Sequence, residues 1–332
     1  VREYIERLTW DDVPRLDTLF IDYLGAKDTA YNRAVCRKSF TAAVTRAMIP
    51  GYKYDNMVIL AGPQGIGKST LLDKMSRGWF NDSIRTFEGK DASELLQGVW
   101  LVEVSELDAF RKTDVARIKQ FLSLRADRYR AAYGRHVSEL PRQCVFFGST
   151  NTTDFLQDTT GNRRFWPVDV GEQPHAKTVW RDLTDDVIDQ LWAEAKARWQ
   201  AGESLYLSGD VEQEAKIKQE EHREVSAREG LIAAFVEKQV PVDWAKWPID
   251  RRRDYWCGAT RTPDGQELEL VDRDRIAAVE VWCELFNGNV REMKPADTRE
   301  INAILARLDG WKRSGTVIRV GPYSVQRGFV RA

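Results

Sequence analysis

The chain has 332 residues, of which 42% are hydrophobic, enough for two domains or for one large domain with an appendage. Its formal net charge of −1 excludes a global field that would attract DNA or membranes, so any basic surface has to be local. No C-x-x-C spacing occurs among the four cysteines (Cys36, Cys144, Cys257 and Cys283) and the three histidines are scattered, so we expect no zinc site. No apolar run approaches the ~18 residues of a membrane span, so we expect a cytoplasmic protein without a membrane partner.

The order of predicted elements indicates an α/β fold. Residues 1–55 are predicted to be helical, because apolar residues recur at three- and four-residue intervals. From residue 56, short apolar strands alternate with helices: "MVILA", "GVWLVEVSEL", "RQCVFFGSTN" and "RRFWPVDV". This alternation predicts a parallel sheet with helices on both faces. Residues 178–201 are predicted to form an amphipathic helix.

The stretch "AGPQGIGKST" satisfies the P-loop pattern G-x-x-x-x-G-K-[ST], after a predicted strand and before a predicted helix that begins at Lys68 and ends near Arg77. Its backbone N–H groups are expected to surround phosphate oxygens, Lys68 to reach the β- and γ-phosphates, and the Ser69 hydroxyl to bind Mg²⁺. We therefore predict an ATP-binding loop made of Gly62, Pro63, Gln64, Gly65, Ile66, Gly67, Lys68, Ser69 and Thr70. The pattern alone does not separate a kinase from a motor, but a GTPase is disfavoured because no N-K-x-D motif occurs.

Two later strands carry polar residues that such a loop requires. Glu103 lies inside "VWLVEVSEL" and Glu106 at its carboxyl end. We expect Glu106 to polarise the attacking water and to share the metal with Ser69, and Glu103 to reach it through water. Asn151 ends "VFFGSTN" and is expected to hydrogen-bond the γ-phosphate or the water. The alternative roles are a sheet residue paired with a lysine for Glu103, an exposed loop acid for Glu106 and a turn cap for Asn151.

Arg163 and Arg164 are adjacent in "TGNRRFWPV". Read as a strand, the segment would point the two side chains to opposite sides, so one arginine is expected to act as a finger toward a neighbouring subunit and the other as an anchor within its own. Two surface arginines in salt bridges are the alternative.

A local basic segment lies between the acidic strand and Asn151. Residues 111–142 hold nine Lys and Arg against three Asp and Glu. The segment "RYRAAYGRHVSEL" is predicted to form a hairpin that turns at Tyr133–Gly134. We expect it to bind single-stranded DNA, because basic residues interleaved with tyrosines suit phosphate contacts and base stacking. The candidate DNA-binding residues are Arg128, Arg130, Arg135 and His136. A solvated basic face is the alternative.

The remainder of the chain carries weaker signals. Residues 210–229 are charge-dense, as expected of a solvated helical lid or linker. The segment "WAKWPIDRRRDYWCGATRTPDG" is predicted to be irregular. Two helices followed by a strand pair in the last sixty residues fit either a winged-helix module, with Arg299 and Arg307 facing phosphates, or a small packing domain.

The order of these motifs resembles that of the AAA+ branch of superfamily 3 helicases: a P-loop, an acidic strand, a basic hairpin, an Asn-ended strand and an arginine pair. The resemblance is closer to the virulence-associated protein E family of phage and genomic-island replication proteins. The resemblance implies an ATP-driven ring, usually of six subunits, that moves on single-stranded DNA, with single-stranded DNA or a replication fork as its partner. It also implies ATP sites shared between subunits and a primase domain preceding Val1. Related helicases usually end the acidic strand with consecutive Asp-Glu, whereas this chain has Glu103-x-x-Glu106 with Ser105 between them.

Taken together, the sequence predicts four parts: a helical N-terminal segment (1–55), a P-loop ATPase core (56–205), a charged helical lid or linker (206–270) and a small C-terminal α+β domain (271–332). The expected function is an ATP-dependent DNA helicase or translocase. The alternatives are a P-loop kinase, and a nucleotide-gated DNA-binding regulator that does not unwind DNA.

Overall fold

The computed structural model of the chain describes residues 1–106, 112–129, 136, 138–156, 162–223, 227–258 and 268–332. The chain divides into two compact units, Val1–Glu224 and Val225–Ala332. Among the residues described, no helix is long and apolar enough to cross a bilayer.

The first unit begins with three helices and then alternates strands with helices. Its elements are α1 Arg2–Arg7, α2 Leu19–Leu24, α3 Ala30–Met48, β1 Met57–Ala61, α4 Lys68–Ser76, β2 Phe80–Asn81, α5 Gly89–Glu94, β3 Leu101–Val104, α6 Lys112–Leu122, β4 Ala126–Tyr129, β5 Ser138–Pro141, β6 Val145–Thr150, β7 Phe165–Asp169, α7 Asp185–Gln200 and α8 Gly209–Glu221.

Five strands form one sheet in the order β2-β3-β6-β1-β7, and every pairing in it is parallel. In β1, Val58 and Leu60 enter a core formed with α3, α4 and α7, whereas Met57 and Ile59 enter a second core formed with α6. Both faces of the sheet are therefore covered, which explains why the central strands are continuous apolar runs. The predicted parallel α/β sheet with helices on both faces is confirmed.

Two tryptophans join the N-terminal helices to the sheet. The rings of Trp100, just before β3, and Trp192 in α7 stack with centroids 3.9 Å apart. The indole N–H of Trp100 donates to the Ala43 carbonyl in α3, and that of Trp192 donates to the Met75 carbonyl in α4. The helices before residue 55 thus share a core with the sheet.

The predicted helix over residues 178–201 starts later than expected. Helix α7 begins at Asp185, and the Thr184 side chain caps it by accepting from the Val187 backbone N–H. Residues 178–184 form turns instead, because the Asp182 carboxylate accepts from the Thr178 N–H and Oγ1. The amphipathic pattern extends N-terminally beyond Thr184, but the helix starts after this residue because its side chain caps the first turn.

The second unit consists of α9 Ala227–Glu237, β8 Val240–Pro241, α10 Ile249–Trp256, β9 Leu270–Val271, β10 Arg275–Ile276, α11 Ala278–Glu280, α12 Pro295–Leu305, β11 Trp311–Arg313, β12 Ile318–Arg319, β13 Val325–Gln326 and β14 Phe329–Arg331. Helix α11 continues into a π-helical turn, Val281–Leu285. The antiparallel strands β10, β14 and β11 form a sheet in that order, and β12 pairs with β13. The two predicted helices and the strand pair are present, but the first helix, predicted from residue 274, starts at Ala278 because Arg275 and Ile276 pair with β14.

The prediction that the tryptophan-rich segment before residue 258 is irregular was wrong, because it contains α10. The fully buried Arg252 in α10 donates to Glu280 and Glu284 at 3.1 and 2.8 Å and to the carbonyls of Trp244 and Trp247. The charge-dense helix can bury Arg252 because Glu280 and Glu284, about thirty residues later in the chain, neutralise it.

Candidate functional site

The 62–70 loop connects β1 to α4 at the carboxyl edge of the sheet. Gly65 and Gly67 have φ values of +84° and +98°, a region that residues with a Cβ atom rarely adopt. A Cβ atom on Gly62 would lie 2.2 Å from the Val170 carbonyl oxygen, so this position requires glycine. The predicted helix after the loop is confirmed as α4, which begins at Lys68. The loop and the N-terminus of α4 therefore border the same cavity, an arrangement that suits a bound anion.

Lys68 is buried, and its ammonium group donates to three oxygen atoms. Its Nζ donates to the carbonyls of Gly62 and Pro63 at 2.6 and 2.9 Å and to Asn151 Oδ1 at 3.1 Å. Burial lowers the pKa of Lys68, and the Glu103 charge partly offsets that effect. Asn151 follows β6, and the structure brings it to the loop as predicted from the order of the strands.

Glu103 in β3 is buried next to the loop, with 1% of its surface exposed. Its Oε1 accepts from the hydroxyls of Ser69 at 2.7 Å and Ser149 at 2.5 Å. Its Oε2 is buried and has no hydrogen-bond partner among the described residues. A buried carboxylate oxygen without a donor is costly, and a cation or an ordered water beside it would remove that cost. The sheet-lysine role considered for Glu103 does not apply, because its partners are hydroxyl groups.

Glu106 lies two residues after β3 at a φ of +54° and is exposed. Together with Lys68, Ser69 and Asn151 it lines a cavity of about 270 Å³. The cavity is completed by Gln64, Gly65, Gly67, Thr70, Ser105, Ser149, Thr150 and Trp180. The predicted residues Lys68, Ser69, Glu106 and Asn151 therefore border one space, and Glu103 lies beneath it.

Four cavity residues were missed by sequence reasoning: Ser105, Ser149, Thr150 and Trp180. Ser149 and Thr150 directly precede Asn151 in "GSTN", and Ser105 directly precedes Glu106, so the two strand ends were the available signal. Trp180 was assigned to a helix that in fact starts at Asp185, and its approach to the loop depends on the tertiary fold.

Arg163 and Arg164 lie near the amino end of strand β1, opposite to the carboxyl ends of the strands, where the 62–70 loop lies. The 3₁₀ turn Asn162–Arg164 holds both residues, so reading them as adjacent strand residues was wrong. Phe165 pairs with Met57, which places the arginines beside the start of β1, roughly 16 Å of strand away from the 62–70 loop at about 3.3 Å per residue. Neither arginine lines the cavity that contains Lys68.

The two arginines differ in their surroundings. Arg164 is half-buried, and its Nε lies 3.4 Å from Asp55 Oδ2 and donates to Ser123 Oγ at 3.1 Å. Arg163 is exposed, has no ion-pair partner within the described ranges, and lines a second cavity of about 330 Å³ with Arg164, Asp55 and Asn56. The geometry separates an anchored arginine from a free one.

The arms of the predicted basic hairpin are present. Strands β4 and β5 pair antiparallel, and Arg142 at their base forms a buried bidentate ion pair with Asp127 at 2.7 and 2.8 Å. Arg128 is largely exposed, with Glu139 3.4 Å away, and His136 is exposed. Arg130, Arg135 and the turn at 133–134 lie outside the described residues.

In the second unit, the two arginines proposed to face phosphates are not equivalent. Arg299 is exposed on α12, whereas Arg307 lies 3.2 Å from Glu229 and is half-buried. Arg307 is therefore already paired within its own unit.

Helix α8 is joined to the carboxyl edge of the sheet by charged groups. His222 Nε2 lies 2.9 Å from Asp169 Oδ1, its Nδ1 lies 2.6 Å from the Thr153 carbonyl, and Lys218 Nζ lies 3.0 Å from Asp169 Oδ2. Because the carbonyl and the carboxylate can only accept, the contacts favour an imidazolium ring. Burial disfavours the charge, but Asp169 outweighs it and raises the pKa of His222. These contacts fix the residues that follow Asn151.

Replacing His222 with phenylalanine should destabilise the first unit by about 2 kcal/mol near pH 6, since a half-buried ion pair with Asp169 and a hydrogen bond to the Thr153 carbonyl are lost. The folded-state pKa of His222 is raised, so its contribution is complete below the unfolded value of about 6.5 and is lost as the pH rises through the folded value. Denaturant unfolding at pH 6 and pH 9 measures this. Exposed His175 provides the control His175→Phe; an equal loss for His222→Phe at both pH values would contradict the charged assignment.

Comparisons with known proteins find a family model and solved structures that match this chain. The model of the virulence-associated protein E-like domain matches residues 5–224. An A-form apo structure of the NrS-1 C-terminal region (305–718) is 12% identical, with 99% of this chain and 78% of that chain covered and a TM-score of 0.49. A second apo structure of that region is 13% identical over the same shares, with a TM-score of 0.47. Among curated proteins, none matches the chain.

Proposed function

The chain belongs to the virulence-associated protein E-like domain family, and we propose that its first unit is a P-loop ATPase that drives a DNA helicase or translocase during replication. The observation that carries the proposal is the convergence of Lys68, Asn151, Ser69 and Glu103 at one edge of a parallel sheet. Carboxyl ends of strands are where ligands bind in such sheets. ATP and Mg²⁺ are the proposed ligands.

The chain's own residues divide the work of phosphoryl transfer. The 62–70 loop binds the phosphates with its backbone N–H groups, and Lys68 neutralises charge on the β- and γ-phosphates. Ser69 and the unpartnered Oε2 of Glu103 fit an Mg²⁺ ion, which would neutralise charge on the same phosphates. In the described ranges no group of three or more His, Cys, Asp and Glu could hold a metal, so phosphate and water oxygens would complete its coordination.

Asn151 and Glu106 are proposed to hold the attacking water. Strand β6 lies between β1 and β3, so it places Asn151 between the strand before Lys68 and the strand of Glu103. Glu106 is exposed at the same cavity and can accept a proton from water. This strand order and the terminal Asn support an AAA+ motor of the superfamily 3 helicase type.

A ring of subunits is proposed from the position of the arginines. Arg163 is about a strand length from the loop of its own subunit, so it is suited to the phosphates bound by a neighbour. Head-to-tail contacts between identical subunits form a ring when the rotation between neighbours closes, and six subunits is the proposed number. Arg164, held by Asp55 and Ser123, would position the turn.

Single-stranded DNA or a replication fork is the proposed partner of the β4–β5 hairpin. Arg142 and Asp127 join the two sides of the hairpin at its base, Arg128 is exposed on β4, and His136 is exposed between β4 and β5. A primase domain preceding Val1 is a further proposed partner. The second unit is proposed as a winged-helix module, supported by α12 and the sheet order β10-β14-β11.

The test is ATP hydrolysis by the purified chain with and without single-stranded DNA, at low and at physiological salt. We expect DNA to stimulate turnover and the stimulation to fade with salt. In Arg135→Ala/His136→Ala, the slope of log affinity against log salt should fall by about 0.7 per lost phosphate contact. The matched control is Arg7→Ala/His175→Ala, which removes an exposed arginine and an exposed histidine outside the hairpin. Hydrolysis indifferent to DNA at both salts would instead favour a kinase or a regulator.

A further inference from the structure

Trp180 is placed where no folding requirement explains it. All twelve tryptophans lie in described residues, and Trp180, with 58% of its surface exposed, is the only one of them that is exposed. It lines the same cavity as Lys68, Ser69 and Thr70. A Cβ atom on Gly67 would lie 3.4 Å from Trp180 Cη2, so the indole edge closely approaches the 62–70 loop.

The backbone that carries Trp180 is fixed although its side chain is exposed. Lys74 in α4 donates to the carbonyls of Val179, Trp180 and Leu183 at 2.8, 3.2 and 3.1 Å. The neighbouring Val179 is fully buried in the core, and Asp182 closes the turn through Thr178. The backbone that carries the indole is thus held by the same helix that begins at Lys68, so a ligand that covered the indole would not have to order this segment.

We propose that Trp180 is the nucleobase-binding platform of this site and stacks on the base of the bound nucleotide. The inference rests on the proposed ATP site and adds to it a residue that recognises the base. Lys68, Ser69 and Asn151 provide partners for phosphates, whereas Trp180 is the only aromatic side chain among the described residues that line the cavity and provides an apolar face for a heterocycle. Stacking on an indole tolerates any base, so it supplies affinity rather than selection between adenine and guanine.

The experiment compares two probes that differ in the base. A non-hydrolysable ATP analogue carries phosphates and base, and inorganic tripolyphosphate carries phosphates only. In Trp180→Ala, the Kd of the analogue should rise roughly 10- to 100-fold, the value of one stacked base, while the Kd of tripolyphosphate should stay within about twofold. Trp180→Phe should recover most of the affinity for the analogue. The corresponding GTP analogue should lose affinity as much as the ATP analogue does.

Controls separate stacking from damage to the loop. Tyr52→Ala, a truncation of another partly exposed aromatic in the first unit, should change neither Kd. Equal weakening of both probes in Trp180→Ala would overturn the inference, because Trp180 would then act on the phosphate loop. Unchanged binding of the analogue in Trp180→Ala would overturn it as well. Failure of the wild-type chain to bind either probe would instead remove the proposed ATP site, and the inference with it.

Discussion

Replacing Lys68 with alanine is expected to abolish ATP hydrolysis, with a loss of at least about 100-fold in kcat. Lys68 is the cation that the structure holds against the 62–70 loop and Asn151, so its removal leaves the phosphates without their fixed positive charge. Lys68→Arg should also fail, since a planar guanidinium cannot replace a point charge that donates to three oxygens at 2.6 to 3.1 Å. Steady-state hydrolysis at saturating ATP and Mg²⁺ measures both variants.

The control for Lys68→Ala is Lys90→Ala, which removes a lysine from a surface pair with Glu94 at 3.0 Å and should leave turnover unchanged. Thermal unfolding of both variants should stay close to that of wild type, because Lys68 donates to carbonyls that water can satisfy in its absence. Turnover by Lys68→Ala within about twofold of wild type would contradict the assignment of the 62–70 loop to ATP.

The site residues carried by strand ends were predictable from sequence. Lys68, Ser69, Glu103 and Asn151 each sit in or directly after an apolar run or a local loop pattern. In a parallel sheet such positions share one edge whatever the rest of the chain does. The hydrogen bond from Lys68 to Asn151 joins residues 83 positions apart, and the one from Ser69 to Glu103 joins residues 34 positions apart, as this arrangement of strand ends predicts.

The features that sequence reasoning missed depend on partners far away in the chain. Helix α10 requires Glu280 and Glu284 to neutralise Arg252, and the sequence around Arg252 does not indicate that these two residues are its partners. Trp180 is displayed because Lys74, more than a hundred residues earlier, holds its backbone. The different surroundings of Arg163 and Arg164 depend on Asp55 and Ser123. Periodicity describes one element at a time and cannot supply these pairings.

Arg163→Ala should lose about 10³-fold or more in kcat on its own, yet regain activity when mixed with Lys68→Ala subunits. A site in such a mixture can combine an intact loop from one subunit with an intact arginine from its neighbour. With random equal mixing in a ring, about a quarter of the interfaces would have both. The measurement is hydrolysis by premixed variants, compared with each variant alone at the same total concentration.

Arg164→Ala is the matched comparison, because it removes the adjacent arginine of the same turn. Its half-buried contacts with Asp55 and Ser123 predict a loss of stability with no rescue by Lys68→Ala subunits. Rescue for Arg164→Ala but not for Arg163→Ala would exchange the two roles and still support sites shared between subunits. If neither mixture recovered activity, ATP would not be hydrolysed between subunits. The exposed Arg163 at the far edge of the sheet would then have to be explained as an ordinary surface residue, because a strand length separates it from its own loop.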